Sequence, residues 1–288
     1  MTEAVVSAAE AAVPATGGPL KVIVPRRGWL SVNWREIWRY RELLYFLTWR
    51  DVTVRYKQTV LGILWAFIQP FSKLVVFSVI FGTLAKMDSE GYPYPIFVYA
   101  GLLPWQFFSE ALGRSSFSIV GNANLITKVY FPRLIIPLSS VGACLVDFAI
   151  SFTILFGLMF YYGVPPTAGT LFIIPLVVLT VIAALGTGIL LSSLNTAYRD
   201  FHYLVPFALQ IWMFVTPVIY PVRIFPPRWQ WAIALNPMAG IVDAYRSAIL
   251  GKPLAWGSLA ISVCVISVIM VLGLYYFRRV ESRFADIV

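Results

Sequence analysis

The chain has 288 residues, 59% of them hydrophobic and only 12% charged, where ordinary soluble domains carry roughly 25% charged residues. A soluble core cannot absorb so much apolar sequence, and several runs reach the ~20 residues that a membrane-crossing helix needs. The formal net charge of +9 does not point to nucleic acid, because no basic and aromatic patch lies on a recognisable soluble fold; the excess flanks the apolar runs, where attraction to anionic membrane lipids accounts for it.

In chain order, residues 1–20 are Ala-rich, contain no Lys or Arg and lack the apolar core of a secretory signal. A disordered cytoplasmic tail is expected over 1–30. The stretch 31–60 is expected to hold an interfacial helix and the approach to the first span. Between 33 and 50, Trp34, Ile37, Trp38, Leu44, Tyr45 and Trp49 recur near one helical face, with Arg35, Glu36, Arg39, Glu42 and Arg50 opposite. This amphipathic pattern predicts a helix lying in the headgroup plane. Arg41 and Phe46 break it, and a cytoplasmic helix packed on another subunit is the alternative.

Apolar runs predict six spans, at 62–85, 96–119, 136–162, 171–194, 204–220 and 257–277, in a transmembrane domain of 61–278. The fold class expected is thus an all-α integral membrane protein. The second run is interrupted by Pro104 and carries Glu110 and Arg114; the fifth is short and holds Pro206 and Pro217. Charges inside a span are functional candidates by default. Glu110 and Arg114, four apart, can neutralise each other, which equally fits a purely structural pair. Asp147 has no evident local partner and must find one on another helix or in water. Lys73 lies near enough to the inner third of the first span to snorkel.

The Lys and Arg residues between 21 and 57, with Arg278, Arg279 and Arg283, place both termini, including 279–288, in the cytoplasm. Inward connections then carry Lys128, Arg133 and Arg199. The outward segment 221–253 is the exception, with Arg223, Arg228, Arg246 and Lys252. It has no run long enough to span. Asn236 and Pro237 form an N-cap and first-turn pair, and Gly251 is a C-terminal stop. A short helix is expected over 240–250, with Asp243 and Arg246 one turn apart and able to pair. A non-spanning segment at membrane depth is tolerated only against protein or a water-filled cavity, so a re-entrant or interfacial helical hairpin is expected here between spans five and six. Cys144 and Cys264 fall inside predicted spans and read as packing residues; the single histidine, His202, reads as structural. No metal site is expected.

Six stretches carry a resemblance. Arg50-Asp51-Val52-Thr53-Val54-Arg55-Tyr56-Lys57 leads through Leu61-Gly62-Ile63-Leu64-Trp65 to Gln69-Pro70. Tyr99-Ala100-Gly101-Leu102-Leu103-Pro104-Trp105, Lys128-Val129-Tyr130-Phe131-Pro132-Arg133, Tyr198-Arg199-Asp200, Thr216-Pro217-Val218-Ile219-Tyr220-Pro221 and Leu235-Asn236-Pro237-Met238 follow. In order and spacing these resemble permeases of the type-2 ATP-binding-cassette family, and within it the polysaccharide and O-antigen export branch.

The resemblance implies a homodimer of six-span permeases in the bacterial inner membrane. Two copies of a separate ATPase subunit would hold ATP and Mg2+, and the cargo would be a lipid-linked glycan. The chain itself would be no enzyme and bind no cofactor, in keeping with the absence of a G-x-x-x-x-G-K-[ST] phosphate loop from the sequence. The resemblance places a coupling helix for the ATPase at about 122–133. Leu125, Ile126, Val129 and Tyr130 would be its apolar knobs and Lys128 and Arg133 its orienting charges, with Asn122 and Phe131 flanking; a plain basic loop is the alternative. Arg50, Asp51, Arg55, Tyr56 and Lys57 would meet the ATPase or guide a pyrophosphate, or serve only as a positive anchor. Trp105, Phe107, Phe108, Trp212, Phe214 and Tyr220 would offer surfaces to a glycan path together with Glu110, Arg114 and Asp147, unless the aromatics form an interfacial belt. The segment 221–253, with Asn236, Pro237, Asp243 and Arg246, would gate the exit. Other cargoes of the same family, a teichoic-acid-type polymer, a drug or a small lipid, fit these residues as well. A membrane-embedded transferase on lipid-linked sugars would need clustered carboxylates or a metal, and a secondary transporter would call for inverted repeats; neither is detected.

Overall fold

The computed structural model describes residues 34–57, 59–281 and 284; the expected tail over 1–30 and Arg283 lie outside them. Among the described residues there is no strand. The chain opens with helices α1, Trp34–Arg39, and α2, Arg41–Lys57. The single interfacial helix expected over 33–50 is therefore two, parted at Tyr40, and the second continues through the entrance motif to Lys57. Trp38, Tyr45, Phe46 and Trp49 are exposed. Ile37 and Leu44, which spacing placed with the tryptophans, instead pack inward beside the buried Leu47. The rotation is set by a close crossing: a Cβ on Gly142 would lie 3.2 Å from Thr48 Oγ1.

A 3-10 turn, Gly62–Leu64, leads into α3, Trp65–Phe77, which a π-helical stretch, Ser78–Leu84, prolongs. Then come α4, Tyr94–Gly121; α5, Ala123–Lys128; and α6, Ile135–Tyr161. A 3-10 turn, Ala168–Phe172, precedes α7, Ile173–Ala197, and α8 is Phe201–Val215. Past a 3-10 turn, Val222–Ile224, lie α9, Pro227–Ala234; α10, Pro237–Leu250; and α11, Trp256–Glu281.

Four segments are long and apolar enough to cross a membrane: Gly62–Leu84, Ile135–Tyr161, Ala168–Ala197 and Trp256–Glu281, of 23, 27, 30 and 26 residues. They correspond to the first, third, fourth and sixth expected spans. The second, α4, has 28 residues but is a core helix, packed against α3, α6, α7, α8 and α10. The fifth, α8, has only 15 residues, and at 1.5 Å rise per residue its ~22 Å falls short of a hydrocarbon core of about 30 Å. The non-helical stretch 216–221 continues it.

One end of the bundle collects Leu47 of α2, Ile119 of α4, Ile126 of α5, Ile135 of α6, Ile189 of α7, Phe277 of α11 and Phe284 in a single apolar cluster. The first and last described segments thus meet at the same end, as an even number of crossings requires. Lipid offers helices no hydrophobic reason to associate, so small residues that let backbones approach carry the packing. A Cβ on Gly273 of α11 would meet the Gly186 carbonyl oxygen of α7 at 2.6 Å.

At the other end, Asn236 caps α10 by accepting from the Met238 N–H at 3.0 Å, and Gly251 ends it at φ +69°, a left-handed conformation that favours glycine. The helix begins at Pro237, three residues before the expected start. A Cβ on Gly240 would lie 2.5 Å from the Ser258 carbonyl oxygen of α11. Gly240→Ala must therefore push two backbones apart, at a cost of about 1–3 kcal/mol. The expected outcome is a lower Tm for the detergent-solubilised protein, whereas Gly121→Ala, where a Cβ meets nothing within 4 Å, serves as the neutral control.

Candidate functional site: a charge-lined cavity and a clamped opposite end

A cavity of about 720 Å3 lies between the end of α2 and helices α3, α4, α6 and α8. Its charges come from four separate elements, Arg55 of α2, Lys73 of α3, Glu110 and Arg114 of α4, and Asp147 of α6. Arg55 of α2 pairs with Asp147 of α6 and with Glu110 of α4, the latter at 3.3 Å. The Tyr56 hydroxyl donates to Asp147 from 91 positions upstream, and Arg114 holds Glu110 at 3.0 Å. Asp147 thus finds its partner on α2, outside the spans. Arg55 and Asp147 are only 17% and 16% exposed, and Asp147 depends on Arg55 for its neutralisation.

The entrance motif divides between two tasks. Arg55 and Tyr56 turn into the cavity, whereas Arg50 binds Asp51 at 2.8 Å and Asn122 Oδ1 at 2.9 Å, at the junction of α4 and α5. Lys57 is exposed. These pairings follow from helical geometry, since residues five apart on α2 point about 140° apart.

The expected coupling segment is similarly divided. Its helix stops at Lys128, and Val129 is already extended. Ile126 and Phe131 are buried in the apolar cluster, and the partly buried Leu125 packs against it, so the four expected knobs do not share one exposed face. Lys128, Val129 and Tyr130 face outward, Tyr130 at 84% exposure. Arg133 donates to the Glu281 carbonyl and lies 5.9 Å from the Phe284 ring, which ties the segment to the end of α11.

Of the aromatic residues expected along one path, only Trp105 and Phe107 line the cavity. Phe108 is fully buried, edge-on to Trp212 at 5.2 Å, and Trp212 donates its indole N–H to Asn236 at 3.0 Å. Phe214 lies on the exposed side of α8, and the Tyr220 hydroxyl donates to its carbonyl at 2.5 Å. Trp212 and Phe214 are two residues apart on one helix, about 200° around it, and cannot share a face. The spacing argument missed Gln69, Gln106 and Gln210, which also line the cavity. Their signal was available: an amide in an apolar helix is expensive unless it meets polar company.

At the opposite end a second set of contacts holds the segment 221–253. Arg246 does not pair with Asp243 within 4 Å; its guanidinium donates to the Val218 carbonyl at 2.5 Å and the Tyr220 carbonyl at 3.2 Å. It also stacks 4.0 Å from the Phe97 ring centroid. Gly101 leaves the room, since a Cβ there would lie 3.0 Å from both the Arg246 Nη2 and the Val218 oxygen. Tyr94 donates to the Ile219 carbonyl at 2.9 Å. The unwound stretch after α8 is therefore hydrogen-bonded by side chains.

The loop between the π-helical stretch and α4 reaches the same segment from outside. Asp88 and Glu90 pair with Arg223, and Glu90 also with Lys252; Tyr92 donates to the Leu250 carbonyl at 2.8 Å. The Glu90 backbone N–H and then Arg223 hold the Asp88 carboxyl below its ordinary value. Two of the four basic residues that contradicted the charge rule are thus neutralised locally, and Arg246 is occupied by carbonyls. Arg228 is exposed.

Four helices long and apolar enough to cross a membrane, two of which, α3 and α6, border a charge-lined cavity, describe a multi-pass membrane protein. The chain belongs to the ABC-2 type transporter family, which it matches over residues 42–250. It is similar to two O-antigen export system permease proteins RfbA of Klebsiella pneumoniae, at 30% and 31% identity over 247 residues, 85% of this chain and 95% of theirs. It also resembles the RfbA of Myxococcus xanthus, at 29% identity over 82% of this chain and 91% of that one. The polysialic acid transport protein KpsM of Escherichia coli is 24% identical over 81% of this chain and 91% of its own length.

Removing one member of a buried ion pair leaves the other charged and unpaired, which costs about 3–5 kcal/mol. Asp147→Asn is expected to lower Tm sharply and Arg55→Gln/Asp147→Asn together less than the sum of the single changes. A double-mutant cycle measures this; additive losses would show that the two side chains do not interact.

Proposed function

We propose that this protein is the permease subunit of an exporter that carries a lipid-linked, O-antigen-like polysaccharide from the cytoplasmic to the outer face of the bacterial inner membrane. The likeness to O-antigen export permeases along 85% of the chain carries this reading. ATP and Mg2+ belong to a separate ATPase subunit, two copies of which meet a permease homodimer. Six crossings are made by α3, α4, α6, α7, α8 with its continuation 216–221, and α11. Both termini face the cytoplasm, and α1 and α2 lie along the inner membrane surface with Trp38, Tyr45 and Trp49 toward lipid.

The ATPase docks on the segment 122–133 through Val129, Tyr130 and Lys128. Its motion passes through the Arg50–Asn122 bond into α2, and along α2 to the Arg55–Asp147 pair at the cavity. Closure of the ATPase subunits in this way displaces the cavity's charged wall, and the protomers part to pass the glycan. The paired helices α9 and α10, held as a re-entrant hairpin by Arg246 and the Asp88–Arg223 and Glu90–Lys252 pairs, gate the exit.

Deleting the gene is expected to leave a lipid-linked glycan on the cytoplasmic face, identified by extraction and mass spectrometry; normal surface polysaccharide would overturn the function. Tyr130→Asp, a change on an exposed side chain, is expected to abolish co-purification of the ATPase without altering Tm. Undiminished complex would remove Tyr130 from the docking surface.

A further inference from the structure

The cavity contains a lysine that no carboxylate among the described residues neutralises. Lys73 lines it from α3, eight residues and so about 12 Å past the start of that helix. Among the described residues it makes no ion pair, whereas Arg55 and Arg114 are both shared with carboxylates. The lining therefore holds three cations, Arg55, Lys73 and Arg114, against two carboxylates, Glu110 and Asp147, a surplus of one positive charge. Donors are in surplus as well. Nε and Nη2 of Arg55 and Nε2 of Gln106 are buried without an acceptor among the described residues.

An ionised group placed inside a membrane domain without a partner is retained for what it meets. Unused donors beside a net positive charge select an oxyanion and reject a cation. Gln69 and Lys73 on α3 and Gln210 on α8 are exposed as well as cavity-lining, so the mouth lies between these two helices. Exposed apolar side chains, Phe71 and Val76 on α3 and Phe207 and Ile211 on α8, cover the outer surfaces around it. A headgroup can therefore enter while its hydrocarbon tail remains in lipid.

We propose that the cavity is an oxyanion site for the phosphate or diphosphate of a lipid-linked glycan, with Lys73 as its principal ligand and Gln69, Gln106 and Gln210 as amide donors. This rests on the reading of the protein as an exporter of such a glycan, and moves anion recognition from the surface residues of the entrance motif to the interior. Arg55 belongs to both sets: it fixes α2 to the bundle and lends its free donors to the anion. Sugar rings following the headgroup meet the faces of Trp105 and Phe107.

The test uses the full chain in lipid nanodiscs and three probes: a polyprenyl diphosphate, the corresponding polyprenol, and inorganic diphosphate, with retention read by native mass spectrometry. The wild-type protein is expected to retain the polyprenyl diphosphate in preference to the polyprenol. Lys73→Gln weakens retention about tenfold, the worth of one charge-assisted hydrogen bond, and Lys73→Arg keeps most of it, which also covers the case in which Lys73→Gln fails to fold. Equal retention by Lys73→Gln, or equal retention of polyprenol, would overturn the site. Inorganic diphosphate held as tightly as the lipid would overturn the lipid assignment in favour of a free anion. In cells, Lys73→Gln is expected to accumulate the glycan on the inner face. Wild-type export by that variant sinks the site and leaves the exporter standing; loss of Lys73-dependent binding in a protein that exports no polysaccharide at all would sink both.

Discussion

Arg55 enters the bundle from a helix that lies outside it, and Asp147 inside the bundle relies on that guanidinium for its neutralisation, while Glu110 is shared between Arg55 and Arg114. A buried carboxylate without its cation costs several kcal/mol, so α2 cannot leave the bundle without exposing that cost. The pair fixes position more than it adds stability, since an apolar replacement of equal volume often serves stability as well. Its consequence is geometric. α2, α4 and α6 are held at one rotation about their axes, the cavity between them stays polar, and the helix that touches Asn122 at one turn touches the cavity five residues later.

At the opposite end a second arginine solves a different problem. Helix α8 is too short to cross a hydrocarbon core by itself, and the stretch 216–221 that follows it is not helical. Arg246 and Tyr94 supply the missing donors to Val218, Ile219 and Tyr220. Gly101, 145 positions before Arg246 and part of a different motif, is small because that guanidinium needs its space. Three of the stretches on which the family likeness rests, 99–105, 216–221 and 235–238, thus come together around α10, Asn236 donating to Thr216 and Gly101 packed against Arg246 and Val218. The family pattern is a record of one packed site.

Much of the fold was legible because it is local. Hydropathy over about twenty residues located the four long apolar helices, and cap chemistry placed Asn236 and Gly251 at the ends of α10, since both signals depend on neighbours within a turn or two. The Glu110–Arg114 pair was legible for the same reason. The break at Tyr40 and the inward turn of Ile37 and Leu44 were not, because an amphipathic helix with apolar residues on two sides has no unique inner face. The burial of Ile126 and the separation of Trp212 from Phe214 were hidden likewise: a spacing rule gives relative angles on one helix and not which angle faces the protein.

The sequence by itself determined that this chain is a membrane protein of the ABC-2 type, where its long apolar helices lie and where the chain turns, because insertion and capping are governed by short-range composition. The tertiary structure alone decided that Asp147 answers to Arg55, that Arg246 serves carbonyls and not Asp243, and that three glutamines share one cavity with Lys73, which makes no ion pair among the described residues. Those outcomes depend on how helices far apart in the chain rotate against each other when they pack, and close packing at Gly142, Gly240 and Gly273 permits few alternative rotations.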